Sequence, residues 1–166
     1  MNGDAVAKPL IIVLDMDGTI IGDIRPQLQL VELHKSLKSQ DKRVNVLNVK
    51  DFQSRLRSGI VRPHLSKFIK KLKEYNNNIE FFIYTASEKK WAHFLVPHIE
   101  KAVGVKFNRP IFTRDDCTPD YKKTVSNIIG GILKSLKKKY GVLLYRQIIM
   151  RDSILENHSV LFITII

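Results

Sequence analysis

Two aspartates, Asp15 and Asp17, stand at the end of an apolar run in the stretch "IIVLDMDGTIIGD", with only Met16 between them. In an extended chain alternate side chains share a face, so the two carboxylates would point the same way and repel one another. Such a pair needs a cation, a proton or a chemical task. An aspartate carboxylate can attack phosphorus, and a second carboxylate nearby can protonate the leaving oxygen and then take a proton from water. A hard divalent cation relieves the repulsion, and Mg2+ suits it because it binds through one or two carboxylates plus phosphate and water. Gly18 lets the chain turn away, exposing backbone amides that cradle an anion.

The elements that must carry this chemistry are legible in outline. Ile11–Leu14 reads as a buried strand, and residues 27–38 carry apolar residues at helical spacing. "RVNVLNV" alternates like a short strand, and "DFQSRLRSG" reads as a short helix or turn. From Pro63 a helix is expected, with Leu65, Phe68, Ile69 and Leu72 on one stripe and lysines mostly off it. "IEFFIYT" is a continuous apolar strand of the kind buried in a parallel sheet. Ser87 reads as the N-cap of a helix running to Val103, with Glu88 in its first turn. Residues 107–112 read as extended, and "TPDYKK" as the opening of a long helix to Tyr140, loosened by Gly130 and Gly131. "RQIIM" and "VLFITII" read as closing strands. Strand and helix thus alternate as in an α/β fold with a parallel sheet.

In such sheets ligands gather at the carboxyl ends of strands. "DMDGT", "TAS" and "RDS" each follow a strand, and their meeting in space is the central expectation.

Bulk composition agrees with one intracellular domain. The 166 residues are 44% hydrophobic and 27% charged, the apolar runs are too short to span a bilayer, and the first residues lack the apolar core of a secretory signal. Residues 1–9 read as a tail and 10–166 as the domain. Cys117, the single cysteine, excludes an internal disulfide and reads as an inert thiol. The net charge of +12 favours polyanions, which admits phosphorylated peptides, nucleotides and nucleic acid alike. His64, His93, His98 and His158 form no metal spacing, and Trp91 reads as a packing residue.

With its four preceding apolar residues, "DMDGT" resembles the first motif of the haloacid-dehalogenase (HAD) superfamily. "VRPHLSKFIKKLKEYNNNIEFFIYTASEKKWAHFLVPHIEK" and "IFTRDDC" resemble segments of the FCP/SCP-type phosphatases, the NLI-interacting-factor domain, over roughly Leu10 to Asp152. That resemblance implies a Rossmannoid three-layer α/β/α fold with a central parallel sheet and little or no cap. It implies a Mg2+-dependent phosphoserine or phosphothreonine protein phosphatase, with Asp15 as nucleophile and Asp17 as general acid/base. Thr85 would hydrogen-bond the phosphoryl oxygens, the lesser alternative being that it caps the next helix. Lys122 or Lys123 would neutralise the phosphoryl charge; the spacing leaves both open, with a lean to Lys122. Asp15, Asp17 and Asp152 would hold the metal, but Arg151 stands where the family places its first acid, and Asp152 comes one residue later. The insertion that shapes a peptide groove in better-known members is absent or very short between Val96 and Phe107. Two alternatives remain: a nucleotide or nucleic-acid-end phosphatase, and a binding protein that has lost part of its metal site.

Overall fold

The structure is a computed structural model that describes residues 9–22, 50–140, 148–150 and 160–165. The helix expected over 27–38 and the strand over 43–49 lie outside these residues. Strand β1 spans Leu10–Leu14. A short helix, α1, covers 50–55 and is followed by a wide turn at Leu56–Ile60. Helix α2 spans Leu65–Tyr75, β2 Ile79–Ile83, α3 Lys89–Val103 and α4 Val125–Tyr140; β3 is Ile148–Met150 and β4 is Val160–Ile165.

The strand order is β2-β1-β4-β3. β1 and β2 pair in parallel, Leu14 opposite Ile83, because the intervening chain is long enough for a helical crossover. A further extended segment adds to the other side of β2 through a parallel bridge of Tyr84 and Phe112. The other half departs from the expected parallel sheet: β4 runs antiparallel to both β1 and β3. Residues 151–159 are too few for a crossover, which needs about a dozen or more, so the chain can only return antiparallel. β4 then separates β1 from β3, and Met150 pairs with Ile163, which in turn pairs with Ile11.

Because β1 and β2, Glu80 apart, are apolar on both faces, their alternate side chains feed two hydrophobic clusters. Ile12, Leu14, Phe81 and Ile83 pack with Phe52 of α1, Ile69 of α2 and Ala92, Leu95, Val96 and Ile99 of α3. Ile11, Val13, Phe82 and Tyr84 pack with Phe112 and with Val125, Ile128, Ile132 and Leu136 of α4. Each such fully buried aliphatic or aromatic side chain contributes about 1.5–3 kcal/mol. Along α2 the expected stripe is graded: Ile69 is buried, Leu65 and Leu72 partly so, and Phe68 is 44% exposed.

α4 differs from its expected bounds. Residues 118–124 are not helical, and the helix runs unbroken through Gly130 and Gly131. Gly131 reflects close approach: a Cβ there would lie 2.7 Å from Phe112 Cε1. Two buried carboxylates brace the outer elements. Glu80 accepts hydrogen bonds from Asn108 Nδ2 at 2.6 Å and from the Tyr140 hydroxyl, and pairs with Lys139 Nζ at 2.5 Å. Glu100 accepts from Arg109 through both oxygens at 3.0 Å and from the Phe107 amide at 2.8 Å. Among the described residues no helix is long and apolar enough to cross a membrane.

Candidate active site

Beyond Leu14 the chain leaves the strand and curls. The amides of Ile20 and Ile21 both donate to the Met16 carbonyl at 3.0 Å, and Gly18 adopts a left-handed φ of 72°, a conformation costly for a residue with a Cβ. The curl is tied to the segment before α2. The Gly22 amide donates to Ile60, the Arg62 amide donates to Ile20, and Arg62 Nη2 donates to the Gly18 carbonyl at 2.7 Å. Buried Met16, Ile20 and Ile21 anchor it from below, while Asp15, Asp17, Gly18 and Thr19 are partly exposed above. The alternation of the strand thus persists long enough to sink Met16 and lift both carboxylates.

Asp15 is held on two sides. Its Oδ1 accepts the Met16 amide at 2.8 Å, and its Oδ2 is ion-paired with Lys123 Nζ. Lys122, toward which the sequence leaned, points outward. It pairs with Asp120 at 2.8 Å with 78% of its side chain exposed, which raises its own pKa and holds Asp120 down to about 2. The physical reason is the turn at 118–122. Tyr121 takes a left-handed φ of 61°, the Thr118 amide donates to the Lys122 carbonyl, and the Lys122 amide donates to Thr118 Oγ1, so the chain reverses and delivers Lys123 inward. A helix through these residues would have spaced the two lysines differently.

Tyr84 sets where that turn sits. Its hydroxyl donates to the Asp116 carbonyl at 2.7 Å and accepts the Thr124 amide at 3.4 Å, clasping both ends of the loop. Burial pushes this phenol's pKa up, so it stays a neutral donor.

Asp17 is held by the loop after β2. Thr85 Oγ1 donates to Asp17 Oδ2 at 2.8 Å, and Ser87 Oγ donates to the same oxygen at 2.7 Å. The Ser87 amide donates to Thr85 Oγ1 at 3.1 Å, occupying that oxygen as acceptor and leaving its proton for Asp17. Thr85 is fully buried, its amide bonded to the Phe112 carbonyl. The loop is tied down further by the Arg114 amide on Ser87 O and by Arg114 Nε on Ala86 O. Ser87 is therefore not the helix cap its position suggests. The cap residue is Glu88, which makes no side-chain cap bond, and the serine hydroxyl turns to the acid instead. The serine-before-helix pattern cannot distinguish these uses; its nearness to Thr85 was the available signal.

Two of the three clusters expected to meet therefore do so, and the 118–124 turn joins them. Asp152, the third acid proposed for a metal, and Arg151 lie outside the described residues. Among the described residues no three His, Cys, Asp or Glu side chains form a metal-binding group. The remaining pair supplies hard carboxylate oxygens two residues apart, the donor type that Mg2+ prefers and a number it accepts. Elsewhere, His98 packs edge-on against Phe52 and beside Phe94, Trp91 stacks on Phe94, and Cys117 donates weakly to the Thr113 carbonyl.

An aspartate pair at the end of a parallel strand, faced by a hydroxyl loop and a lysine, is an arrangement of phosphatases, and the comparison with family models agrees. Residues 10–153 match the model described as NLI interacting factor-like phosphatase, and the chain belongs to that family, within the HAD/FCP-SCP-like group. Neither the curated proteins nor the solved structures returned a match.

Proposed function

We propose that this chain is a Mg2+-dependent phosphoric monoester hydrolase working through an aspartyl-phosphate, with phosphoserine or phosphothreonine proteins as substrates. The observation that carries the reading is the division of labour in the acid pair: Asp15 faces a lysine, Asp17 faces two hydroxyls. The Lys123 ammonium holds one oxygen of the Asp15 carboxylate in place, as a positioned nucleophile requires. One oriented by fixed donors is placed for proton transfer.

In the first step a carboxylate oxygen of Asp15 forms a bond to phosphorus while the bond to the ester oxygen breaks, and Asp17 gives that oxygen a proton. In the second, Asp17 takes a proton from water, the water oxygen bonds to phosphorus, and the acyl-phosphate bond breaks. Phosphate leaves and both side chains return to their starting states. Thr85 must exchange its bond to Asp17 for one to a phosphoryl oxygen, while Ser87 retains the acid. Lys123 follows the negative charge from Asp15 to the transferring group. Mg2+, held by Asp15 and Asp17 with Asp152 as the proposed third acid, would supply charge neutralisation at the phosphoryl oxygens. The two hydrophobic clusters on opposite faces of β1 and β2 support the three-layer reading of the fold.

Release of phosphate from an aryl phosphate, with Mg2+ and then with excess chelator, tests the chemistry. We expect activity that the chelator removes and that Asp15→Asn lowers by about 10^4-fold or more. Full activity in Asp15→Asn protein would refute the mechanism. Substrate class is separable by a panel of phosphopeptides, nucleotides and end-phosphorylated oligonucleotides. The net charge of +12 permits the nucleotide and nucleic-acid reading as well, and a clear preference for those substrates would establish it over the protein-phosphatase one. Arg151, directly after β3, supports a binding protein without turnover; folded protein that neither binds Mg2+ nor turns over would favour that reading.

A further inference from the structure

Directly after β2 come two buried residues, Tyr84 and Thr85. Thr85 holds Asp17 by its own hydroxyl. The Tyr84 hydroxyl goes instead to the backbone at both ends of the loop that carries Lys123 to Asp15.

A lysine reaches its partner on a flexible four-carbon stem, so where its ammonium rests depends on where its backbone is held. The bonds of residues 118–122 fix the shape of the turn: the Thr118 amide and Oγ1 and the Tyr121 and Lys122 amides all bond within it. Such bonds travel with the turn and do not place it. Placement comes from outside. The Arg114 guanidinium lies over the Tyr121 ring at 5.3 Å, but that ring is 61% exposed and the contact is correspondingly weak. Tyr84, 3% exposed, makes the firmer attachment, a bond of 2.7 Å to the Asp116 carbonyl.

The two ends it grips belong to different elements. Asp116 closes the short 3-10 turn Arg114–Asp116 through its capping box with Thr113, whereas Thr124 leads into α4. Tyr84 ties one to the other just where the chain between them loops out. Its ring is fixed in turn, packed edge-on to Phe112 at 6.1 Å inside the α4 cluster, so the hydroxyl stands at the tip of a rigid strut.

We infer that Tyr84 is a positioning residue of the phosphoryl-transfer site: by clasping the loop at Asp116 and Thr124 it sets where the Lys123 ammonium stands against Asp15. This role rests on the proposed reading of Lys123 as the cation that follows the transferring charge. Consecutive residues of one strand end thus arrange both acids, Thr85 by contact and Tyr84 through a lysine. Misplacing a group in such a site by about 1 Å costs up to about 10²-fold in rate, so one lost hydroxyl has a measurable consequence.

Tyr84→Phe keeps the ring and removes only the clasp. On an aryl phosphate with Mg2+ it should lower kcat about 10- to 100-fold. In a Lys123→Met background it should cost less than about twofold more, because a residue acting through the lysine has nothing left to place. Losses that multiply in the double variant would overturn the inference, as would full kcat in Tyr84→Phe alone. Reductive methylation of lysines, followed by mass spectrometry, reads the geometry without turnover. Lys123 should methylate about threefold or more faster in Tyr84→Phe as its ion pair loosens, while Lys139, paired with buried Glu80, keeps its wild-type rate. An unchanged Lys123 rate would overturn the role, and so would a general loosening that speeds both lysines. Wild-type protein without turnover would refute the phosphatase reading, and the methylation rates would still decide what places Lys123.

Discussion

The Oδ2 oxygen of Asp15 is ion-paired with Lys123, while the adjacent Lys122 is paired with Asp120 at the surface. The two lysines therefore separate in a simple experiment. Lys123→Met should lower kcat/KM on an aryl phosphate by about 10²–10³-fold, the usual loss when one group stabilising transition-state charge is removed. Lys122→Met should change it less than about threefold. Steady-state kinetics decide, and the reverse order of effects would remove Lys123 from the site.

Ser87 makes a different prediction, because it touches Asp17 and not the substrate. Ser87→Ala should lower kcat about tenfold with KM nearly unchanged, since only the placing of the acid suffers. Ser87→Thr, which keeps the hydroxyl, should recover most of the loss. A variant that raises KM alone would make Ser87 a substrate contact instead.

Neighbouring glycines of α4 should respond with opposite sign. Gly131→Ala drives a methyl into the Phe112 ring and should destabilise the fold by about 1–3 kcal/mol. At this chain length that lowers Tm by several degrees. At Gly130 a Cβ meets nothing within 4 Å, so Gly130→Ala should stabilise by about 0.5–1 kcal/mol. Thermal melts of the two variants read the contrast directly.

Acid should expose the two buried carboxylates. Burial alone would raise the pKa of Glu80 and Glu100. The hydrogen bonds from Lys139, Tyr140 and Asn108 outweigh it at Glu80, as those from Arg109 and Phe107 do at Glu100, and both fall below the ordinary 4.5. The unfolded chain then binds more protons, so their contribution is present above about pH 4.5 and is lost as pH falls through the folded values. Glu80→Gln should cost about 1–3 kcal/mol near neutrality and flatten the decline in stability below pH 5. Urea midpoints from pH 7 to pH 3 give the comparison, and an unchanged slope would exclude Glu80 as a source of it.

What could be read from the residues, and what could not, divides by range. Asp15, Asp17 and Thr85 were legible because each follows a continuous apolar strand, and parallel strands bring their carboxyl ends together whatever the loops do. Lys123 was hidden behind Lys122 because adjacent lysines are equivalent until the turn at Tyr121 reverses the chain. Ser87 has the position of a cap in the sequence, and a hydroxyl before a helix serves either purpose. The antiparallel placement of β4 is marked only by the short link before it: an apolar strand carries no sign of its direction, but residues 151–159 leave no room for a crossover.

That placement has a consequence for assembly. β4 covers the whole hydrogen-bonding edge of β1 opposite β2, from Leu10 facing Thr164 to Leu14 facing Val160. A chain cut before Val160 would turn the strand that leads into both acids into an open edge, a row of unpaired amides and carbonyls that invites pairing with another molecule. The closing strand thus works as a guard against self-association at the point where the chemistry is concentrated.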